Sequence, residues 1–189
     1  MTAESLERPL GIPSDRREWR DGRTPSADRA RLVLRTAREE DLPELLRLDR
    51  EVFQDVAYPG FLLRQMWDMY AEHFLVLDAG EGRLRGYVLA ATTTPALGLD
   101  SWILGLCVAR DRRRRGLGRE LMTEIIARLR RDGVARVRLT VEPANRAAIR
   151  LYRSLGFRPE GPDAGLRPDY FGPGMHRLVL GLPLTPAEG

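Results

Sequence analysis

The sequence predicts one mixed α/β domain, and three observations predict it. The chain has 189 residues, 43% hydrophobic and 31% charged, enough for one domain of ordinary size with a sizeable core and too apolar for a disordered chain. The apolar period switches repeatedly between two residues and about 3.6, so strands and helices alternate. Glycine and proline punctuate the switches, giving the element order βααβββαβαββ with no internal repeat.

Each element has a local reason. Residues 1–30 carry six arginines and six acids, few apolar side chains and no period; they are expected to form a flexible tail, with the domain over 31–189. Residues 31–35, Arg-Leu-Val-Leu-Arg, read as a short first strand. Asp41-Leu-Pro-Glu44 then predicts a helix start, with Asp41 as N-cap, Pro43 in the first turn and Glu44 closing a capping box. Leu45, Leu48, Val52 and Phe53 fall on one face. Tyr58-Pro-Gly60 interrupts the chain before a second helix over 61–70. Strands are predicted over 73–78 and 84–93, joined as a hairpin, and a third over 102–109. The strongest helix spans 116–131, where Leu117, Leu121, Met122, Ile125, Ile126 and Leu129 share a face and Gly133 closes it. A strand over 134–141, a helix over 145–155 capped by Asn145, and short strands over 157–159 and 176–182 complete the chain.

Composition excludes several chemistries. All 31 basic residues are arginine, so no lysine is present to form a Schiff base or complete a P-loop. Cys107 is the single cysteine, so no internal disulfide can form, which favours the cytoplasm. No run approaches ~20 apolar residues, so no membrane span is expected, and residues 1–30 lack the apolar centre of a signal peptide. His73 and His176 show no metal-ligand spacing, so no metal is expected. Cys107, inside an apolar run without a nearby histidine, reads as a small buried hydrophobe rather than a nucleophile.

The informative stretch is Val108-Ala-Arg-Asp-Arg-Arg-Arg-Arg-Gly-Leu-Gly-Arg119. A strand ends, arginines follow, and Gly116-x-Gly118 opens an amphipathic helix. The first helical N–H groups lack intrahelical partners, and the helix dipole adds positive potential there, so the segment reads as a phosphate site. A dinucleotide fold would require glycine at position 121, which is Leu121, and an acid after the following strand. A second block, Asn145-Arg-Ala-Ala-Ile-Arg-Leu-Tyr-Arg-Ser-Leu-Gly-Phe157, places Ala148, Ile149, Tyr152 and Leu155 on one helical face.

Together the two blocks resemble the GNAT superfamily of acetyl-CoA-dependent N-acetyltransferases. Arg113-Arg-Arg-Gly116-Leu-Gly118 matches the family's Arg/Gln-x-x-Gly-x-Gly/Ala signature, and Asn145, Leu151-Tyr152 and Leu155-Gly156-Phe157 match its later block. The resemblance covers about residues 31–182 and implies a mixed, mostly antiparallel central sheet flanked by helices. It further implies that Leu106, Cys107 and Val108 pair with the pantetheine arm of acetyl-CoA. Amides of Arg113, Arg114, Arg115, Gly116, Leu117, Gly118 and Arg119 would cradle the pyrophosphate, and Asn145 would touch the arm. Tyr152 would act as general acid toward the leaving thiolate, with the Val108 amide polarising the thioester carbonyl. Transfer would be direct, to a primary amine in a ternary complex.

One position departs from the pattern. Ribosomal-protein alanine N-acetyltransferases, which the chain resembles more weakly, carry a glutamate five residues before the asparagine; here that position is Thr140. Glu142, two residues on and on the same strand face, is the candidate base, with a water chain as the other. Asp169-Tyr170-Phe171 resembles an acceptor-side aromatic pair, and Tyr58 would supply the opposite wall. Thr140 counts against a peptide N-terminus as acceptor, so small amines stay open beside it. No nucleic-acid or membrane partner is expected, while a homodimer is possible. Two competing functions are a non-catalytic acyl-CoA-binding regulatory domain and a nucleic-acid-binding module using the arginine run. The formal charge of +4 bears on the second. Residues 110–153 hold fourteen arginines against five acids, so the rest of the chain is net acidic and the basic block coincides with the phosphate site.

Overall fold

The computed structural model describes residues 32–93 and 99–184. The elements follow the predicted order, with strands β1 (Val33–Thr36), β2 (Phe74–Asp78), β3 (Leu84–Thr92), β4 (Asp100–Val108), β5 (Arg136–Val141), β6 (Arg158–Pro159), β7 (Leu166–Arg167) and β8 (Arg177–Pro183), and helices α1 (Leu42–Phe53), α2 (Gly60–Tyr70), α3 (Leu117–Arg131) and α4 (Arg146–Ser154). One sheet runs β1-β2-β3-β4-β5-β8-β6, with β7 also on β8. The β4–β5 pair is parallel and the other pairs are antiparallel. The expected mixed, mostly antiparallel sheet flanked by helices is therefore present. The expected tail lies outside the described residues.

The sheet separates two cores. On one face sit α3 and α4, with all six predicted α3 side chains buried beside Leu75, Val88, Leu139 and Phe157. Each such burial contributes roughly 1.5–3 kcal/mol before entropy. On the other face α1 and α2 place Leu45, Leu48 and Leu63 against Phe74, Tyr87 and Cys107.

The start of α1 differs from expectation. Asp41 does not cap α1 through its side chain; it ends a 3-10 turn, Glu39–Asp41, and its carboxylate accepts the Arg38 N–H at 2.7 Å and the Arg35 guanidinium at 2.6 Å. Glu44 likewise binds Arg47 at 2.6 Å instead of closing a capping box on Asp41. The cause is proximity of arginine, because a charge-assisted bond outcompetes a neutral cap. The predicted strand over 73–78 begins one residue later, since His73 ends a 3-10 turn and its Nε2 meets Asp132 Oδ2 at 2.7 Å. Strand β7 was not predicted, being too short to show a period.

Two glycines let β3 and β4 approach. A Cβ on Gly86 would stand 2.7 Å from the Cys107 carbonyl oxygen, and one on Gly105 would stand 3.0 Å from the Tyr87 ring. Among the described residues no helix is long and apolar enough to cross a membrane, and no three His, Cys, Asp or Glu side chains gather as metal ligands would.

Candidate active site

The central feature is a gap in the sheet. β4 pairs with β5 from Asp100↔Arg136 to Ile103↔Leu139, after which β5 follows β8 alone. Against β3 the register slips between Leu89 and Ala90, so Leu104 is an extra residue and β4 bends there. Leu104 to Val108 thus hold β3 on one side and, among the described residues, no strand on the other. Ala109 N–H donates to the Arg85 carbonyl of β3 at 2.9 Å. By strand alternation the peptide groups of Val108 and Leu106 face the gap, while those of Cys107 face β3. Arg113 Nε confirms the direction, donating to the Val108 carbonyl from the gap side at 3.3 Å. The Cys107 thiol points into the α1 core, 4.0 Å from the Leu48 carbonyl, and burial pushes its pKa up, away from nucleophilic reactivity.

The arginine loop follows directly. Residues Arg110–Arg112 form a 3-10 turn, Arg114 and Gly116 take positive φ (61° and 85°), and α3 begins at Leu117. The Leu117 and Gly118 amides, first in the helix, have no carbonyl a turn behind them. Arg113, Arg114, Arg115 and Arg119 are exposed, and Arg119 Nη2 donates to Ser154 Oγ at 2.6 Å, joining the loop to α4. At Gly118 the structure adds something unanticipated. A Cβ there would point inward, 3.4 Å from Leu151, 3.8 Å from Val108 and 3.9 Å from Leu106. Glycine therefore keeps the slot between β4 and α4 open.

Helix α4 stands across the gap. Asn145 caps it as expected, its Oδ1 accepting the Ala148 N–H at 3.1 Å. Tyr152 is 7% exposed, packs on Phe157 with ring centroids 5.9 Å apart, and lines the gap. Burial alone pushes its pKa up to about 12, so the phenol is protonated at neutral pH.

The gap opens into a cleft of about 590 Å³. Leu106, Thr140, Glu142, Asn145 and Tyr152 line it from the sheet and α4, while Phe53, Val56, Tyr58 and Phe171 line it from the far side. Glu142 is exposed at the mouth. Tyr58 bridges the walls, its hydroxyl donating to the Leu104 carbonyl at 2.8 Å. Tyr170 sits apart, in a second depression with Trp102, Arg138 and Glu160, and reaches the cleft only through its edge-on contact with Phe171, 4.8 Å between centroids. Cys107, Val108 and the loop residues Arg113 to Arg119 lie beyond the cleft lining, along the same gap and at its α3 end.

A parallel pair that splits beside the arginine-flanked start of α3 is the geometry of the site. The model of the Acetyltransferase (GNAT) family matches residues 36–157. The chain belongs to this family. It is an acyltransferase of the acetyltransferase kind. The acetyltransferase is 33% identical over 103 residues to the ribosomal protein bS18-alanine N-acetyltransferase of Escherichia coli (strain K12), covering 53% of this chain and 67% of that one. It is 31% identical over 132 residues to the mycothiol acetyltransferase of Thermobifida fusca (strain YX), covering 62% of this chain and 40% of that longer one. Its fold matches that of a phosphinothricin acetyltransferase from Sinorhizobium meliloti in complex with AcCoA, with TM-score 0.67, 19% identity, and coverage of 80% or more of both chains (84% and 95%). The residues of the acetyltransferase fit such a donor on their own chemistry: a free strand edge for amide groups, a slot without a Cβ, and helix-start amides among arginines.

Sequence reasoning missed Asp49, which also lines the cleft and is 0% exposed. The signal was present, because Asp49 follows Leu45 by four residues and so falls inside the apolar stripe of α1.

Proposed function

We propose that this acetyltransferase moves an acetyl group from acetyl-CoA to a primary amine by direct attack in a ternary complex, with a peptide N-terminus as the favoured acceptor. The observation that carries the proposal is the buried Tyr152 phenol facing the gap between β4 and β5. The 33% identical bS18-alanine N-acetyltransferase supports a peptide acceptor, and the cleft walls of Phe53, Val56, Tyr58 and Phe171 offer apolar area to a first side chain.

The chain's residues divide the work. Leu106 and Val108 offer gap-facing peptide groups to the pantetheine amides, as a sheet edge accepts an added strand. Cys107 holds that edge in register through β3 and its buried side chain. Amides and guanidinium groups from Arg113 to Arg119 receive the pyrophosphate. Asn145 fixes the start of α4 and borders the arm. The Val108 N–H donates toward the thioester oxygen as charge develops there. Tyr152 donates its hydroxyl proton toward the sulfur as the C–S bond breaks. A free thiol titrates near 8.5, below Tyr152, so the phenol chiefly hydrogen-bonds the emerging thiolate. Glu142, at the cleft mouth, accepts the proton released by the attacking amine. Tyr170 steadies Phe171 at the acceptor wall.

The test is a panel of small amines and peptide N-termini incubated with acetyl-CoA, with CoA release followed by a thiol-reactive dye. Release is expected with one or more peptides beginning with a small residue. Tight acetyl-CoA binding without thiol release from any amine would instead indicate a non-catalytic acyl-CoA-binding domain.

A further inference from the structure

Two carboxylates are buried among the described residues, Asp41 and Asp49. Asp41 shows how this chain treats a structural carboxylate: Arg35 binds it through two nitrogens, at 2.6 and 2.8 Å. Asp49 is treated differently. Tyr87 donates its hydroxyl to Oδ1 and the Tyr58 N–H donates to Oδ2 at 2.7 Å, but among the described residues no arginine or histidine forms an ion pair with it. Among the described residues this desolvated carboxylate has hydrogen-bond donors but no cation.

Anchoring the turn after α1 does not by itself require this arrangement, since a buried charge costs more than a neutral polar group able to accept the same bond. Each carboxylate oxygen accepts one bond and retains a second lone pair. Asp49 sits on α1 at the acceptor side of the cleft, and Tyr58, whose N–H it accepts, is tied to the β4 bulge through Leu104. The carboxylate, the acceptor wall and the bent strand are one network. In water-excluded surroundings its field is screened little.

We propose that Asp49 is the counter-charge by which the enzyme recognises its acceptor in the ammonium form, drawing a cationic amine between the apolar walls of Phe53 and Phe171 toward the gap. The proposal rests on the amine-acceptor function above and specifies the chemistry that selects the acceptor. Burial raises the Asp49 carboxyl above its ordinary range, while the Tyr87 hydroxyl and Tyr58 amide pull it back toward ionisation. An arriving ammonium pulls in the same direction. The other ionisable groups around it are Tyr87 of β3, Cys107 of β4 and Tyr58, with Glu142, Tyr152 and Arg177 on the cleft lining. Arg177 lies over the Phe171 ring, 5.0 Å from its centroid, and donates to the His176 carbonyl.

Calorimetry on the full chain saturated with CoA tests this with two probes: a tripeptide amide beginning with alanine, and its lactyl analogue with a hydroxyl in place of the α-amino group. The wild type is expected to bind the ammonium peptide at least tenfold more tightly, and Asp49→Asn to bind both equally. Parallel weakening of both peptides in Asp49→Asn, a retained preference in that variant, or no wild-type preference for the ammonium peptide overturns the proposal. Tyr87→Phe keeps the carboxyl and removes one donor to its charged form. Its preference is expected to disappear at a higher pH than in the wild type as pH falls, and an unchanged midpoint counts against the role. CoA release is measured separately. Its failure with a preserved ammonium preference would remove the transfer chemistry and leave the ammonium site standing.

Discussion

Replacing Tyr152 with phenylalanine lowers the rate of acetyl transfer by roughly 10²–10⁴-fold, the usual contribution of one positioned proton donor. Acetyl-CoA affinity stays within a factor of about two or three, because the ring that packs on Phe157 is retained and only the hydroxyl is lost. The split between an unchanged dissociation constant and a fallen kcat identifies an interaction made mainly in the transition state. Calorimetry reports the first and CoA release the second. Turnover at the wild-type rate with every acceptor that the wild type accepts would remove Tyr152 from the chemistry.

Replacing Gly118 with glutamate abolishes measurable acetyl-CoA binding, an expected loss of at least about 100-fold on electrostatic and steric grounds. The Cβ direction explains the severity. It points between Leu151, Val108 and Leu106, so a longer side chain fills the slot and places a carboxylate beside the helix start meant for phosphate. Gly118→Ala is the matching control. Its Cβ makes ordinary contacts of 3.4 Å or more, so fold and most of the affinity persist. Equal acetyl-CoA affinity in Gly118→Glu and wild type would dismiss the slot.

Much of this was legible in the residues. The α3 stripe from Leu117 to Leu129 predicted the helix, its buried face and the glycine-marked start, because period and punctuation agree there. Asn145 announced its own cap. The arginine run reads as a phosphate site because a strand, two glycines and a helix surround it, and the structure supplies that strand, turn and helix start. The gap was not legible without the resemblance. The apolar run that became β4 does not say which neighbour it leaves, and the extra residue at Leu104 is indistinguishable from any other leucine in that run. Asp41 misled because the local motif for a cap says nothing of Arg35, which lies on another element and takes the carboxylate. Asp49 was overlooked because a charge in an amphipathic helix is usually solvated, and its burial depends on Tyr87, which lies 38 residues away in sequence.

The central claim is that the edge of β4 freed by β5 receives the arm of acetyl-CoA with the thioester beside Tyr152. A crystal structure of the protein grown with acetyl-CoA tests it most directly. The expected result is the pantetheine lying between β4 and β5, its amides paired with Leu106 and Val108, its pyrophosphate on the amides that open α3, and its sulfur next to the Tyr152 hydroxyl. An arm bound elsewhere, or bound in the gap with its sulfur remote from Tyr152, would contradict it.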